Sequence, residues 1–177
     1  MSGFAEYRPG AGRQVVDVVV RAAVDADLTR CAELIVSRTG GPVDVRRARL
    51  VADLERPDRY TVVAEIDGEV VGYALVLRHQ ISPTDPPNTA PGGYYLIGLI
   101  VAPEHRRHGI GELLTQERIR WTAERADEVY YFANVANGAT LDLHLSFGFT
   151  EVTRDFSFPN APLKPGTCVL LRAPISR

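Results

Sequence analysis

Apolar positions along this chain switch between two rhythms, and the switches divide it into elements. Val15 to Ala22 (VVDVVVRA) is apolar and β-branched, which predicts a strand. Leu28, Cys31, Ala32 and Ile35 then recur at helical spacing, so a helix is expected from Leu28 to about Ser37, with Asp25 or Asp27 as its cap. Thr39-Gly40-Gly41-Pro42 breaks the chain. A second helix, from about Asp44 to Glu55, sets Val43, Arg47, Leu50, Val51 and Leu54 along one side, and Pro57-Asp58 ends it. Tyr60–Ile66 and Glu69–Arg78 read as strands joined by Asp67-Gly68, the two-residue hairpin signal.

The second half repeats the alternation. His79 to Gly93 carries Pro83, Pro86, Pro87 and Pro91, and reads as a partly mobile loop at the edge of a substrate site, because loops of that length are uncommon unless functional or mobile. Leu96 to Val101 is a strand stopped by Pro103. A basic loop, Arg106-Arg107-His108-Gly109-Ile110-Gly111, opens a helix from about Gly109 that is expected to carry Leu113, Leu114 and Trp121 inward. Glu128–Ala133 is a strand. Asn134 to Gly138 turns into a helix from Ala139 to about Phe147, with Gly148 as its C′ glycine. Phe149–Phe158 and Thr167–Arg172 are two closing strands joined across a proline-rich linker. The order β-α-α-β-β-β-α-β-α-β-β predicts a mixed α/β or α+β fold with one sheet.

Composition narrows the function classes. At 177 residues the chain is near the size of one domain, expected over residues 13–177 behind a short tail at residues 1–12 that lacks the apolar core of a secretory signal. The net charge of −2 gives no global field for nucleic acid or an anionic membrane, and no apolar run is long enough to span a bilayer. Cys31 and Cys168 are far apart and outside any metal-ligand spacing. They are expected to be reduced and packed as small hydrophobes, with no metal site and a cytoplasmic location as the default.

The basic loop carries the clearest chemistry. A helix start presents backbone N–H groups and the positive end of the dipole to an anion. Gly109 and Gly111 let the backbone approach without a Cβ in the way, and Arg106, Arg107 and His108 add positive charge. On this segment alone the choice stays open between a phosphate cradle and a tight turn with solvated arginines. A magnesium-nucleotide site fits worse, because the loop lacks G-K-[ST].

Three features together resemble the GNAT superfamily of N-acetyltransferases. Arg106 to Gly111 matches the family's acyl-CoA loop, Q/R-x-x-G-x-G/A. The strand ending Leu99-Ile100-Val101, followed by Pro103, is its usual lead-in. Asn137 to Phe149 resembles the pattern N-x-x-A-x-x-L-Y-x-K-x-G-F. The resemblance spans roughly Val15 to Leu171 and implies a single mixed, mostly antiparallel seven-stranded sheet flanked by about four helices, with a splayed parallel central strand pair. It implies acetyl-CoA as co-substrate, its pyrophosphate on the Arg106–Gly111 amides. Its pantetheine arm would run along Leu99, Ile100 and Val101, and Asn137 would bond the arm from the far side. A backbone N–H at Ile100 or a neighbour would meet the oxyanion.

The family's general acid is the tyrosine of L-Y, and here that position is His144, whose neutral imidazole still carries one N–H. Water is the alternative acid. His79, Tyr94, Tyr95, Glu33 and Asp85 are the candidate bases, alongside a water relay. The expected activity is acetyl transfer to a primary amine of a small molecule or peptide by direct attack in a ternary complex. A GNAT-like acyl-CoA-binding sensor or partner module without turnover is the alternative. The acceptor side has few carboxylates in its loops, which disfavours a polycationic acceptor. Dimers are common in the family, so a homodimer is among the expected states.

Overall fold

The computed structural model describes residues 17–175. The tail expected at residues 1–12 and the start of the first strand lie outside them. The described elements are β1 (Val19–Ala22), α1 (Leu28–Thr39), α2 (Val43–Leu54), β2 (Arg59–Ile66), β3 (Glu69–His79), β4 (Gly93–Val101), α3 (Ile110–Ala123), β5 (Glu128–Asn134), α4 (Gly138–Ser146), β6 (Thr150–Thr153) and β7 (Cys168–Pro174). The strands form a seven-stranded sheet in the order β1-β2-β3-β4-β5-β7-β6. Only β4 and β5 run parallel; every other neighbouring pair is antiparallel. The hairpin between β2 and β3 turns on Asp67 (φ 50°) and Gly68 (φ 82°), both left-handed as a type I′ turn requires.

Alternation along β2 and β3 assigns the helices to faces. Val63, Tyr73 and Leu75 pack with Leu28, Cys31 and Leu34 of α1 and Leu50 of α2. Val62, Ala64, Val71 and Ala74 point the other way, onto Ile110 and Leu114 of α3. Cys31 and Cys168 are both free and buried, and burial pushes the Cys31 thiol up to about 12. No helix among the described residues is long and apolar enough to cross a membrane.

Four local expectations change. Leu113 is exposed, and the inward face of α3 is instead Ile110, Leu114, Thr115, Arg118 and Thr122, the i, i+4, i+5, i+8 and i+12 positions of one helical stripe, which Leu113 lies off. Trp121 is partly buried at the margin, stacked on Tyr60 at 5.0 Å. The penultimate strand is short: β6 stops at Thr153, where the amide of Asp155 bonds the Thr153 hydroxyl and turns the chain out of the sheet. Asp27 does not cap the amides of α1. Its carboxylate accepts from the Val24 amide at 2.8 Å and from both Arg21 amino groups at 2.7 and 2.9 Å.

The proline-rich loop now runs from Gln80 to Gly92, with His79 the last residue of β3. It is tied to the segment after β6: the amide of Ala90 donates to Ser157 and that of Ser157 to Asn88, both at 2.9 Å.

Candidate functional site

The sheet opens at its parallel pair. β4 and β5 are in register only at Tyr95–Tyr130 and Leu96–Tyr131. Beyond Leu96 the two strands part. The cause is a bulge in β4: Tyr73 sits opposite Ile100 and Leu75 opposite Ile97, leaving Gly98 and Leu99 against Ala74 alone. Gly98 takes φ 67°, and a Cβ there would lie 3.1 Å from the Tyr73 hydroxyl. A left-handed glycine is what lets an extra residue enter one strand and bend it from its neighbour. Past the opening, three β4 carbonyls accept from arginine side chains. Ile97 takes Arg118 Nη1 at 3.3 Å, Leu99 takes Arg38 Nη1 at 3.2 Å and Val101 takes Arg106 Nε at 3.2 Å.

Below the end of β4, Pro103–His105 forms a single 3-10 turn, and the loop then passes through Arg107 at φ 68° and Gly109 at φ 77° into α3. The amides of His108, Gly109, Ile110 and Gly111 find no backbone acceptor among the described residues. Together with the dipole of α3 they make an anion-favouring end. The two glycines differ in role. Gly109 holds a left-handed N-cap, whereas a Cβ on Gly111 would meet Leu143 and Leu99 at ordinary contact distances of 3.6 and 3.8 Å. The buried Nδ1 of His108 has no partner among the described residues.

A cavity of about 780 Å³ occupies the opening and continues beneath α2. Ile97 to Ile100 and Tyr131 to Asn134 line it at the strands, and Asn137 and Thr140 line it at the start of α4. Leu99, Ile100 and Asn137 therefore meet on one cavity, while Arg106 to Gly111 form the loop just beyond the end of β4.

His144 is fully buried and is not on the cavity wall. Its ring stacks on Tyr131 at 3.5 Å with a 2° interplanar angle. Nδ1–H donates to the Thr140 carbonyl at 2.8 Å, leaving a bare, buried Nε2 without a partner. Burial, and then the positive charge of Arg118, drop its pKa to about 3, so the ring is neutral at ordinary pH. The group that reaches the cavity is Tyr131, whose hydroxyl lies 2.8 Å from Thr140 Oγ1. Burial raises the Tyr131 pKa, so the phenol is protonated at neutral pH.

Arg118 is the other buried polar group here, with no exposed surface and no carboxylate within ion-pair distance among the described residues. Desolvation lowers it to about 10, which still leaves it charged at neutral pH, and its charge couples to Tyr131 and Tyr73. Its donors go to Leu114 O, Ile97 O and Thr115 Oγ1.

Of the candidate bases, only His79 lines the cavity. It is buried between Tyr95 and Phe158, and its Nε2 has no partner. Tyr95 is turned away, donating to Pro91 O at 2.6 Å, Tyr94 packs on Trp121, Glu33 pairs with Arg30, and Asp85 accepts from the Ser82 amide.

Sequence reasoning missed Tyr131, Arg118 and the arginines of α2. Arg46, Arg49, Asp53 and Arg56 all line the cavity. The spacing of three and four residues from Arg46 through Arg49 to Asp53 is one stripe of α2, a signal present in the sequence, and Arg56 follows just past the helix end.

The model of the acetyltransferase (GNAT) family matches residues 26–149. An N-alpha-acetyltransferase of Sulfurisphaera tokodaii is 30% identical over 132 residues, 72% of this chain and 79% of that protein. The N-alpha-acetyltransferase RimI of Mycobacterium tuberculosis is 31% identical over 135 residues, 76% and 80% of the two chains. Among solved structures, a GNAT superfamily phosphinothricin acetyltransferase from Sinorhizobium meliloti in complex with acetyl-CoA superposes with a TM-score of 0.68 at 18% identity, covering 90% of this chain and 89% of the other.

Proposed function

Because the chain belongs to the GNAT family of acetyltransferases, we propose that it moves an acetyl group from acetyl-CoA to a primary amine by direct attack in a ternary complex. The observation that carries this reading is the opened β4–β5 pair with an amide-rich helix start at its end. A pyrophosphate fits the amides of His108 to Gly111 with Arg106 and Arg107 beside them, since that end offers donors and positive charge. The pantetheine arm fits along Leu99, Ile100 and Val101 as an added strand, with Asn137 opposite. The similar phosphinothricin acetyltransferase was solved in complex with acetyl-CoA, and the residues of this chain suit the same ligand.

The chemistry follows from what the cavity presents. An amine nitrogen attacks the thioester carbonyl, a C–N bond forms, and the C–S bond breaks. A backbone amide of the Gly98–Ile100 bulge meets the oxyanion. Tyr131 gives its phenolic proton to the leaving thiolate, because it is protonated, lines the cavity and sits where the opening begins. His144 supports that ring from behind rather than acting itself, since its one N–H is held by Thr140. His79 takes the amine's proton through bound water and passes it to solvent, and solvent returns a proton to the Tyr131 phenolate to close the cycle. Calorimetry with acetyl-CoA, followed by thiol release against an amine panel, tests the reading. Binding in the micromolar range and amine-dependent thiol release are expected. Tight binding with no release on any amine would make the protein an acyl-CoA sensor instead.

A further inference from the structure

The cavity has a second end, away from the loop of Arg106 and Arg107, and its charge is lopsided. Six arginines and two aspartates line the whole cavity, in a chain whose net charge is −2. Both aspartates are already engaged: Asp53 with Arg59 at 3.1 Å and Asp58 with Arg56 at 2.9 Å. Arg46, Arg49 and Arg78 have no carboxylate within ion-pair distance among the described residues, although the charge of Arg49 is felt by Asp53. The nearest acceptor to Arg46 is the Thr39 hydroxyl at a marginal 3.5 Å, and Arg78 lies over the Tyr94 ring at 5.9 Å. Arg46 and Arg49 stand one turn apart on the α2 stripe that faces the cavity, and Arg78 comes from the end of β3.

We infer that this end of the cavity binds an anionic group, so that the amine acetylated here is carried on a molecule that also bears a carboxylate or a phosphate. The inference rests on the acetyltransferase reading for the word "acetylated" and on the arginines alone for the word "anionic". Like charges gathered on one wall of a cavity repel one another unless a counter-charge sits among them, and solvent screens part of that repulsion at the exposed Arg49 and Arg78. Guanidinium forks match the two oxygens of a carboxylate or phosphate. The same field turns away a cationic acceptor. Arg78 is not simply a further ligand for coenzyme A phosphates. Arg78 pairs in register with Tyr94, seven residues before Val101, which puts it about 20 Å along β4 from the amide loop.

The test titrates glutarate and inorganic phosphate, in the millimolar range, into protein saturated with coenzyme A, so that the loop is already occupied. Wild type is compared with the Arg46→Gln, Arg49→Gln double variant; both residues are at least partly exposed, so the fold is expected to tolerate the change. Saturable binding of one probe, weakened about tenfold or more in the variant, supports the inference, and the tighter probe names the anionic group. Binding that is absent, or equal in both proteins, overturns it. Should coenzyme A itself fail to bind, the donor reading falls, while the same comparison on unliganded protein still decides the anion site. With turnover as the readout, O-phosphoethanolamine and β-alanine should give a kcat/KM at least about tenfold above ethanolamine and propylamine, respectively. Amines without an anionic group that match or exceed both acids also overturn the inference.

Discussion

The two ends of the cavity are made from different materials. The end proposed for the donor is mostly backbone: a bulge at Gly98, β4 carbonyls released from the β5 ladder and, just beyond the cavity, amides without a backbone acceptor where Gly109 starts α3. The end proposed for the acceptor is mostly side chains drawn from α2, the end of β3 and the segment after β6. Backbone binding depends on a few conformations and tolerates changes of side chain around them. Side-chain binding is rewritten by any substitution on the wall. A fold that keeps the first and varies the second holds one donor while exchanging acceptors, and relatives at about 30% identity carry differently named acceptors, an N-alpha-acetyltransferase and an aminoglycoside acetyltransferase among them.

The largest effect is expected where the two ends meet. Tyr131→Phe removes the hydroxyl and keeps the stack on His144. Steady-state kinetics should show kcat falling about 100-fold or more, with the acetyl-CoA KM little changed. His144→Phe should keep most of the turnover; the reverse ranking of the two variants would move the acid to His144. Next comes Gly109→Val, which forces a β-branched residue into φ 77° beside the amides. Strain of about 2 kcal/mol predicts acetyl-CoA affinity weakened about 30-fold by calorimetry. Unchanged affinity would remove the loop from the donor site.

His144 also separates core from cavity by its proton. Its folded pKa of about 3 lies below the unfolded value of 6.5. Above pH 6.5 neither state takes the proton and the ring costs nothing. Between pH 6.5 and 3 the unfolded chain binds it and the native one does not, so stability is lost as pH falls, by about 1.4 kcal/mol per unit. Urea melts of wild type and His144→Phe across that window should differ in slope by that one proton. Parallel slopes would mean the ring is solvated and open to the cavity.

What the sequence showed follows the same division. Glycine and proline punctuate backbone structure, so Asp67-Gly68, the helix start at Gly109 and the Asn137–Phe149 pattern were legible, and so was the sheet they imply. Gly98 was hidden because a glycine inside an apolar run reads as strand until the pairing of β3 shows two residues facing one. Tyr131 was hidden by parity. In Glu128–Ala133 two tyrosines adjoin, and only the register with β4 sends Tyr130 onto Tyr95 and Tyr131 onto His144. The arginine stripe had a readable spacing, but charges on a helix are ordinarily solvated, and the wall opposite comes from residues more than twenty positions away in the chain.

The smallest predicted effect comes from behind the cavity wall. Arg118 is a buried cation held by the Ile97 carbonyl, the Leu114 carbonyl and the Thr115 hydroxyl, with no carboxylate to orphan. Replacing it by Met therefore removes a desolvation cost and leaves one β4 carbonyl without its donor, two terms of similar size and opposite sign. Stability measured by denaturant should shift by no more than about 1 kcal/mol. Its charge, however, couples to Tyr131, and loss of that charge makes the phenol a weaker acid. Turnover should fall by about three- to tenfold, with the alkaline limb of the kcat profile displaced upward as the Tyr131 pKa rises. Arg118→Lys should restore part of both, since a cation returns without the fork. A fall in stability with an unmoved pH profile would make Arg118 a prop for the opened strand rather than a source of field.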